Sequence, residues 1–164
     1  AFNPSFEDGD ADGVPAGWCV GWLDPRDRTG RAQWYRAGTH WEKHVRTGRQ
    51  SALVLWPPKL GLDWRQTWPK AVRVRPGEKY RASLWGKAVA TTGGSYLAVE
   101  FSDTDYRPIL VTKSAVLTTD GAWQQLSVDA AAPDSARWLR IILHGAGSDG
   151  AIWYDDAEIV RMPP

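Results

Sequence analysis

Short runs of alternating apolar and polar residues make up most of this chain, and glycine or proline interrupts them at close intervals. Successive side chains of a strand point to opposite sides, so alternation marks a strand with one buried face. The pattern predicts strands at residues 2–7, 17–23, 33–37, 51–56, 62–74 with a break near Pro69, 80–89, 95–102, 109–117, 123–129, 137–143 and 151–160. No stretch carries a helical period. Many short strands separated by turn chemistry indicate an all-β fold, a two-sheet antiparallel β-sandwich of the jelly-roll kind in a single domain. "RPGEK" at 75–79 and "TDGAW" at 119–123 are the clearest turns, and "GAGSDG" at 145–150 reads as a hairpin loop.

Parity assigns faces within a strand. Leu97, Val99 and Phe101 are expected inward and Tyr96, Ala98, Glu100 and Ser102 outward. By the same argument Tyr80, Ala82 and Leu84 oppose Arg81, Ser83, Trp85 and Lys87, while Leu139, Ile141 and Leu143 oppose Trp138, Arg140, Ile142 and His144. These outward sets mix rings with charged groups, the surface expected of a binding site. In "DWRQTW", Trp64, Gln66 and Trp68 share one parity and are read as outward, with the two rings about 13 Å apart along the strand.

Composition sharpens this picture in one respect. Eleven of the 164 residues are tryptophan, more than a core of this size calls for. A length of 164 residues suits one domain able to bury a full core. Twenty basic and nineteen acidic residues are interspersed to a net charge of +1, which disfavours nucleic acid and anionic membranes as partners. No apolar run is long enough to span a bilayer. The single cysteine, Cys19, forms no intramolecular disulfide and reads as a small core residue. The last residues, "RMPP", read as the start of a linker, so residues 1–161 are taken as the module and 162–164 as the linker's beginning.

Five blocks in order, "NPSFEDGDADGVPAGW" at 3–18, "TGRQSALVL" at 47–55, "VRPGEKYRASLWGKA" at 74–88, "AWQQLSVD" at 122–129 and "IWYDDAEIV" at 152–160, resemble the jelly-roll carbohydrate-binding modules of families four, nine, sixteen and twenty-two. The resemblance implies a noncatalytic domain with glycan bound along one concave sheet. It also implies attachment to a catalytic domain of a secreted or cell-surface polysaccharide-active enzyme, and a structural calcium ion. The calcium ligands it implies are Glu7, backbone at Arg49 and Asp155, with Asp10 and Asp12 as nearby acids. The segment from Trp22 to Trp41 has no equivalent in those families. Trp22, Trp34 and Trp41 are expected in a cleft wall or an N-terminal cover.

Parity sends Asp155 and Asp156 to opposite faces, so one of the two is expected as a metal ligand, and the pattern alone leaves the choice open. The expected glycan contacts are Trp64, Gln66, Trp68, Arg81, Trp85, Lys87, Tyr96, Glu100 and His144, on a chain expected to be monomeric. Trp18, Trp123 and Trp153 are expected to be structural. A flat ring that removes about 50 Å² of sugar surface from water gains about 1 kcal/mol, so two or three platforms imply dissociation constants of roughly 10 μM to 1 mM. Two alternatives stand beside this reading: a small glycan-cleaving enzyme using Glu100 with Asp103 or Asp105, and a structural interdomain sandwich. "HWEKH", with His40 and His44 four apart, matches a helical zinc spacing but lies between glycines that leave little room for a helix. Asn3 precedes a proline, which removes it as a glycosylation acceptor.

Overall fold

The computed structural model describes residues 4–9, 14–22, 31–36, 44–57, 59, 61–91, 93–118, 120–147 and 149–163, with the side chains of Trp22 and residues 31–36 left aside. Eleven strands lie among the described residues: β1 (Trp18–Trp22), β2 (Arg31–Arg36), β3 (Gln50–Leu55), β4 (Leu62–Gln66), β5 (Val72–Arg73), β6 (Lys79–Val89), β7 (Tyr96–Ser102), β8 (Pro108–Lys113), β9 (Gln124–Ala131), β10 (Trp138–Gly145) and β11 (Ala151–Arg161). One sheet runs β1-β4-β10-β7-β8, with β5 continuing the place of β4 beside β10; the other runs β2-β3-β11-β6-β9. Every pairing is antiparallel. The architecture is the two-sheet jelly roll that the alternation predicts.

The core lies between the sheets. Leu62, Trp64, Leu97, Val99, Phe101, Leu139, Ile141 and Leu143 come from the first sheet; Ala52, Val54, Ala82, Leu84, Leu126, Ile152 and Tyr154 come from the second. Two polar tips cross the layer: Trp64 Nε1 donates to the Leu53 carbonyl at 3.2 Å, and the Tyr154 hydroxyl donates to the His144 carbonyl at 2.5 Å. Such tips satisfy their donors while their rings fill apolar space.

Trp64 and Gln66 therefore correct the expected parity of β4, for both are wholly buried and point inward. The alternation of Leu62, Trp64 and Gln66 against Asp63 and Arg65 follows the burial of a large ring, worth about 4–6 kcal/mol for an indole's 150–250 Å². Gln66 enters the core for a different reason. β10 pairs with β4 from Ile142 onward and with β5 at Trp138 and Leu139, leaving a gap in its ladder. Gln66 Oε1 fills that gap by accepting from Ile141 N at 3.2 Å.

Other expectations change at the ends of elements. Within 2–7 the described residues form turns rather than a strand, and Phe6, at φ 56°, plugs the core against Trp18 at 5.0 Å between ring centroids. The 62–74 run divides into β4, a 3-10 turn at Trp68–Lys70 and β5. β8 stops at Lys113, short of the expected Leu117. The 145–150 loop is no hairpin, since β10 and β11 belong to different sheets. Cys19 sits half-buried on the outer side of β1, opposite Arg65, because Trp18 takes the inward parity.

Candidate functional site

Register places the outward residues of the six-stranded sheet in rows across the strands. One row reads Gly21, Asp63, His144, Tyr96, and the next reads Cys19, Arg65, Ile142, Ala98, Lys113. A third contains Arg140, Glu100 and Val111, and a fourth contains Trp138, Ser102 and Pro108. Although these residues face away from the core, Asp63, Ala98, Glu100, Ser102, Arg140, Ile142 and His144 are all buried. They form a buried floor on that face.

That floor carries charge in neutralised pairs. Asp63 accepts from Arg65 Nη2 at 2.7 Å through one oxygen and meets His144 Nδ1 at 2.6 Å through the other. Arg140 Nε donates to Glu100 Oε1 at 2.7 Å. Two glycines make room: a Cβ on Gly21 would lie 2.6 Å from Arg65 Nε, and one on Gly61, at φ 107°, would lie 2.1 Å from the His144 ring. Rings stand at both ends of the floor. Trp68 covers the Arg140 guanidinium at 3.9 Å and meets Tyr106 at 5.0 Å, and Tyr106 stacks on Trp138 at 5.5 Å. At the other end Tyr96 stacks on His144 at 4.3 Å and lies under Lys113 Nζ at 4.5 Å. Six residues of β10 separate the two ends, about 20 Å along the strand.

Local chain chemistry positions these rings. Pro69 opens the 3-10 turn that lifts Trp68 off the end of β4. Asp103 Oδ1 accepts from Asp105 N and Arg107 N, and Tyr106 N donates to the Asp103 carbonyl. This knotted loop holds Tyr106 at φ 62° and 42% exposed, a ring presented to solvent.

Of the nine expected glycan contacts, Trp68, Tyr96, Glu100 and His144 come together here. Arg81, Trp85 and Lys87 lie instead on the outer face of the five-stranded sheet, since β6 and β7 belong to different sheets. There Arg81 pairs with Asp129 at 2.6 Å, Trp85 is covered by the Arg46 guanidinium at 3.9 Å, and buried Lys87 lies 5.9 Å from the Trp123 ring. Trp153 and Leu53 form a small second apolar cluster on this face, with His44 stacked on Trp153 at 3.8 Å. Asp63, Arg65, Tyr106 and Lys113 escaped the sequence reading. The alternation of Asp63 and Arg65 with Trp64 was their only signal, and Tyr106 comes from a loop to which parity does not apply.

The expected metal ligands gather at the opposite side of the molecule. Glu7 Oε1 accepts from Arg49 N at 2.9 Å and Gln50 N at 3.0 Å. Asp155 Oδ2 accepts from Arg46 N at 2.9 Å and Thr47 N at 3.2 Å. Asp156 is not on the opposite face: a bulge at φ 51° turns it onto the same segment, where it accepts from Ser5, Thr47 and Arg46. Burial pushes the Asp155 carboxyl up to about 7. Asp156 resists its partial burial through those three donors and stays below the ordinary value. No group of three His, Cys, Asp or Glu able to hold a metal occurs among the described residues. Asp10, Asp12, His40 and Trp41 lie outside them, as do the side chains of Trp22 and Trp34.

No known protein-family model matches the chain, and no curated protein sequence matches it. Solved structures do. TmCBM61, determined in complex with beta-1,4-galactotriose, is similar over 99% of this chain and 97% of its own, at 16% identity and a TM-score of 0.61. The chain has the jelly-roll fold of carbohydrate-binding modules. The CBM22-1–GH10 modules of Clostridium thermocellum endo-1,4-beta-D-xylanase 10B, complexed with xylohexaose, match over 88% of this chain and 26% of that one, at 18% identity and a TM-score of 0.60. The enzymatically active domain of bacteriophage CBA120 tailspike protein 4 matches at a TM-score of 0.70 and 11% identity, covering 99% of this chain. This chain spans about a fifth of that tailspike chain, 21%. At such identities the likeness is one of fold, and function rests on the site.

Proposed function

We propose that the chain is a noncatalytic carbohydrate-binding module that holds a neutral polysaccharide or oligosaccharide along the outer face of the six-stranded sheet. The observation that carries this reading is the buried polar floor with rings at both ends. A pyranose offers apolar C–H faces and a rim of hydroxyls, which suit indole and phenol platforms beside buried charged acceptors and donors. Both guanidiniums of the floor are already paired with carboxylates, which favours a neutral chain over an acidic one on this face. The fold neighbours solved with galactotriose and xylohexaose agree with that preference.

A linked catalytic domain and a secreted or cell-surface setting belong to the same proposal, supported by the xylanase, where the matching module accompanies a GH10 module. The cleaving alternative finds less support. Asp63 and Glu100 stand two strands and two rows apart, about 16 Å between Cα atoms, whereas paired glycosidase carboxyls lie roughly 5–9.5 Å apart. Asp103 is committed to its loop, and Asp105 lies 3.7 Å from Arg107. Affinity electrophoresis in soluble xylan, galactan and β-glucan is expected to show retardation by at least one, with no reducing ends released. Release of sugar would establish the enzyme, and neither effect would leave the structural sandwich.

Calcium forms part of the proposal. Glu7 and Asp155, with carbonyls of the 46–49 segment, are the oxygens that would hold it, and a hard cation suits that donor set. The wholly buried Asp155 carboxylate favours a cation nearby. Gly48, at φ 67°, leaves the space that a Cβ would take 2.3 Å from Glu7 Oε1. The ion would pin both chain ends and stand apart from sugar. Chelation with EDTA is expected to lower the melting temperature by several degrees and calcium to restore it; an unchanged melt removes the metal from the proposal.

A further inference from the structure

Four arginines surround the mouth of the sandwich where β5 ends, β6 and β10 begin and β11 finishes. A cavity of about 840 Å³ opens there between the two sheets. Its floor is apolar, made by Val72, Val74, Tyr80 and Ile159, and its rim carries Arg73, Arg75, Arg137 and Arg161 against the single acid Glu78. The concentration is local, because twenty basic and nineteen acidic residues nearly balance over the whole chain.

Glu78 leaves most of that positive charge uncompensated. One oxygen meets Arg161 Nη1 at 3.0 Å; the other accepts from the Tyr80 hydroxyl at 2.5 Å and from Arg75 N at 2.9 Å. Arg137 is held in place by carbonyls, donating to Ala136 O at 2.6 Å and Asp134 O at 3.2 Å, which fix its guanidinium without neutralising it. The guanidiniums of Arg73 and Arg75 have no ion-pair partner among the described residues. Arg73 stands opposite Trp138 in the ladder, so the cavity begins where the ring-bearing face ends.

We infer that this cavity is a second saccharide site, specific for a sugar acid. An apolar floor under a cationic rim matches a ring with a C–H face and one carboxylate, and the planar fork of arginine meets a carboxylate through two parallel hydrogen bonds. The volume lies in the range that holds a small ligand. The inference rests on the preceding reading only in taking the ligand to be a sugar. A polysaccharide with a neutral backbone and acidic side units would engage both places, the backbone on the rings and the acid among the arginines.

Titration of glucuronic acid and of glucose, followed by NMR on the isotope-labelled chain, tests the assignment. Glucuronate is expected to bind at least about tenfold more tightly than glucose and to shift resonances around Arg73 and Arg75. Arg73→Ala/Arg75→Ala is expected to weaken glucuronate by about tenfold or more, as loss of charged hydrogen bonds does. Arg73→Lys/Arg75→Lys should fall between, since charge remains without the fork. Both positions are exposed, and equal melting temperatures verify the fold. Neutral-polysaccharide retardation should survive in both variants, while Trp68→Ala should leave glucuronate binding intact. The assignment is overturned if glucuronate binds no better than glucose or if the double alanine variant keeps full affinity. It is also overturned if inorganic sulfate competes equally, which would mark a bare anion site. Glucuronate binding without any retardation would uphold this site while removing the module reading, and the reverse result would do the opposite.

Discussion

Alanine at position 155 is expected to destabilise the fold by about 3–5 kcal/mol, the range for breaking a buried charged network. At this chain length that corresponds to a fall of roughly 6–20 °C in melting temperature. Asp155 is wholly buried, and its oxygens accept from Arg46 N, Thr47 N and, at 2.8 Å, Asp156 N. Burial, with the Asp156 charge beside it, raises its pKa to about 7 even against the pull of these three amides, so the amides, with any bound cation, are what favour the charged form. The surroundings amplify the loss. Asp156 holds Ser5 and Thr47, and Ala157 N donates to the Pro4 carbonyl at 2.8 Å, so one knot ties the N-terminal segment, the approach to β3 and the last strand.

Asp155→Asn separates hydrogen bonding from charge. Its amide oxygen can still accept from residues 46 and 47, and the cost of burying a charge is gone, so a smaller loss of about 1–2 kcal/mol is expected. Melting both variants with EDTA present isolates the amide contribution from any metal. A fall of less than about 1 kcal/mol for Asp155→Ala would mean that water replaces the carboxylate at the three amides, and the knot would not be structural.

The strands most legible in the sequence are those whose alternation reports burial directly. Leu97, Val99 and Phe101 on β7 and Leu139, Ile141 and Leu143 on β10 point inward as expected, and their neighbours face outward. Parity states inside or outside but not which sheet a strand joins. Tyr96 and Trp85 are both outward residues, yet β6 and β7 part company across the sandwich and carry the two rings to opposite sides. β4 misled for another reason. The pattern there suggests binding platforms, but the size of tryptophan favours burial unless a turn holds it out, as the Pro69 turn does for Trp68 but nothing does for Trp64. A bulge defeats parity outright, because one residue at positive φ reverses the alternation beyond it. Asp155 and Asp156 consequently converge on one segment instead of diverging.

Trp68→Ala is expected to weaken neutral-glycan binding about twentyfold while leaving the melting temperature nearly unchanged. Trp68 is half-buried on a turn outside the main core, so its loss opens no large cavity between the sheets. For binding its position is central. It lies on the Arg140 guanidinium at 3.9 Å and against Tyr106 at 5.0 Å, and Tyr106 in turn leans on Trp138. Removing one ring therefore deletes a platform worth about 1 kcal/mol of sugar desolvation and frees a second from its support. It also opens Arg140 to water, which weakens the hydrogen bonds that the Arg140–Glu100 pair can give a sugar hydroxyl. Together these losses approach 2 kcal/mol, and each 1.4 kcal/mol is tenfold in affinity. Trp85→Ala supplies the contrast, since that ring lies under Arg46 on the other outer face and should leave retardation unchanged. Retained binding in the Trp68 variant would remove the sugar from this face, and lost binding in the Trp85 variant would place it on the five-stranded sheet. The Trp68–Tyr106–Trp138 cluster would then be packing at the sandwich edge.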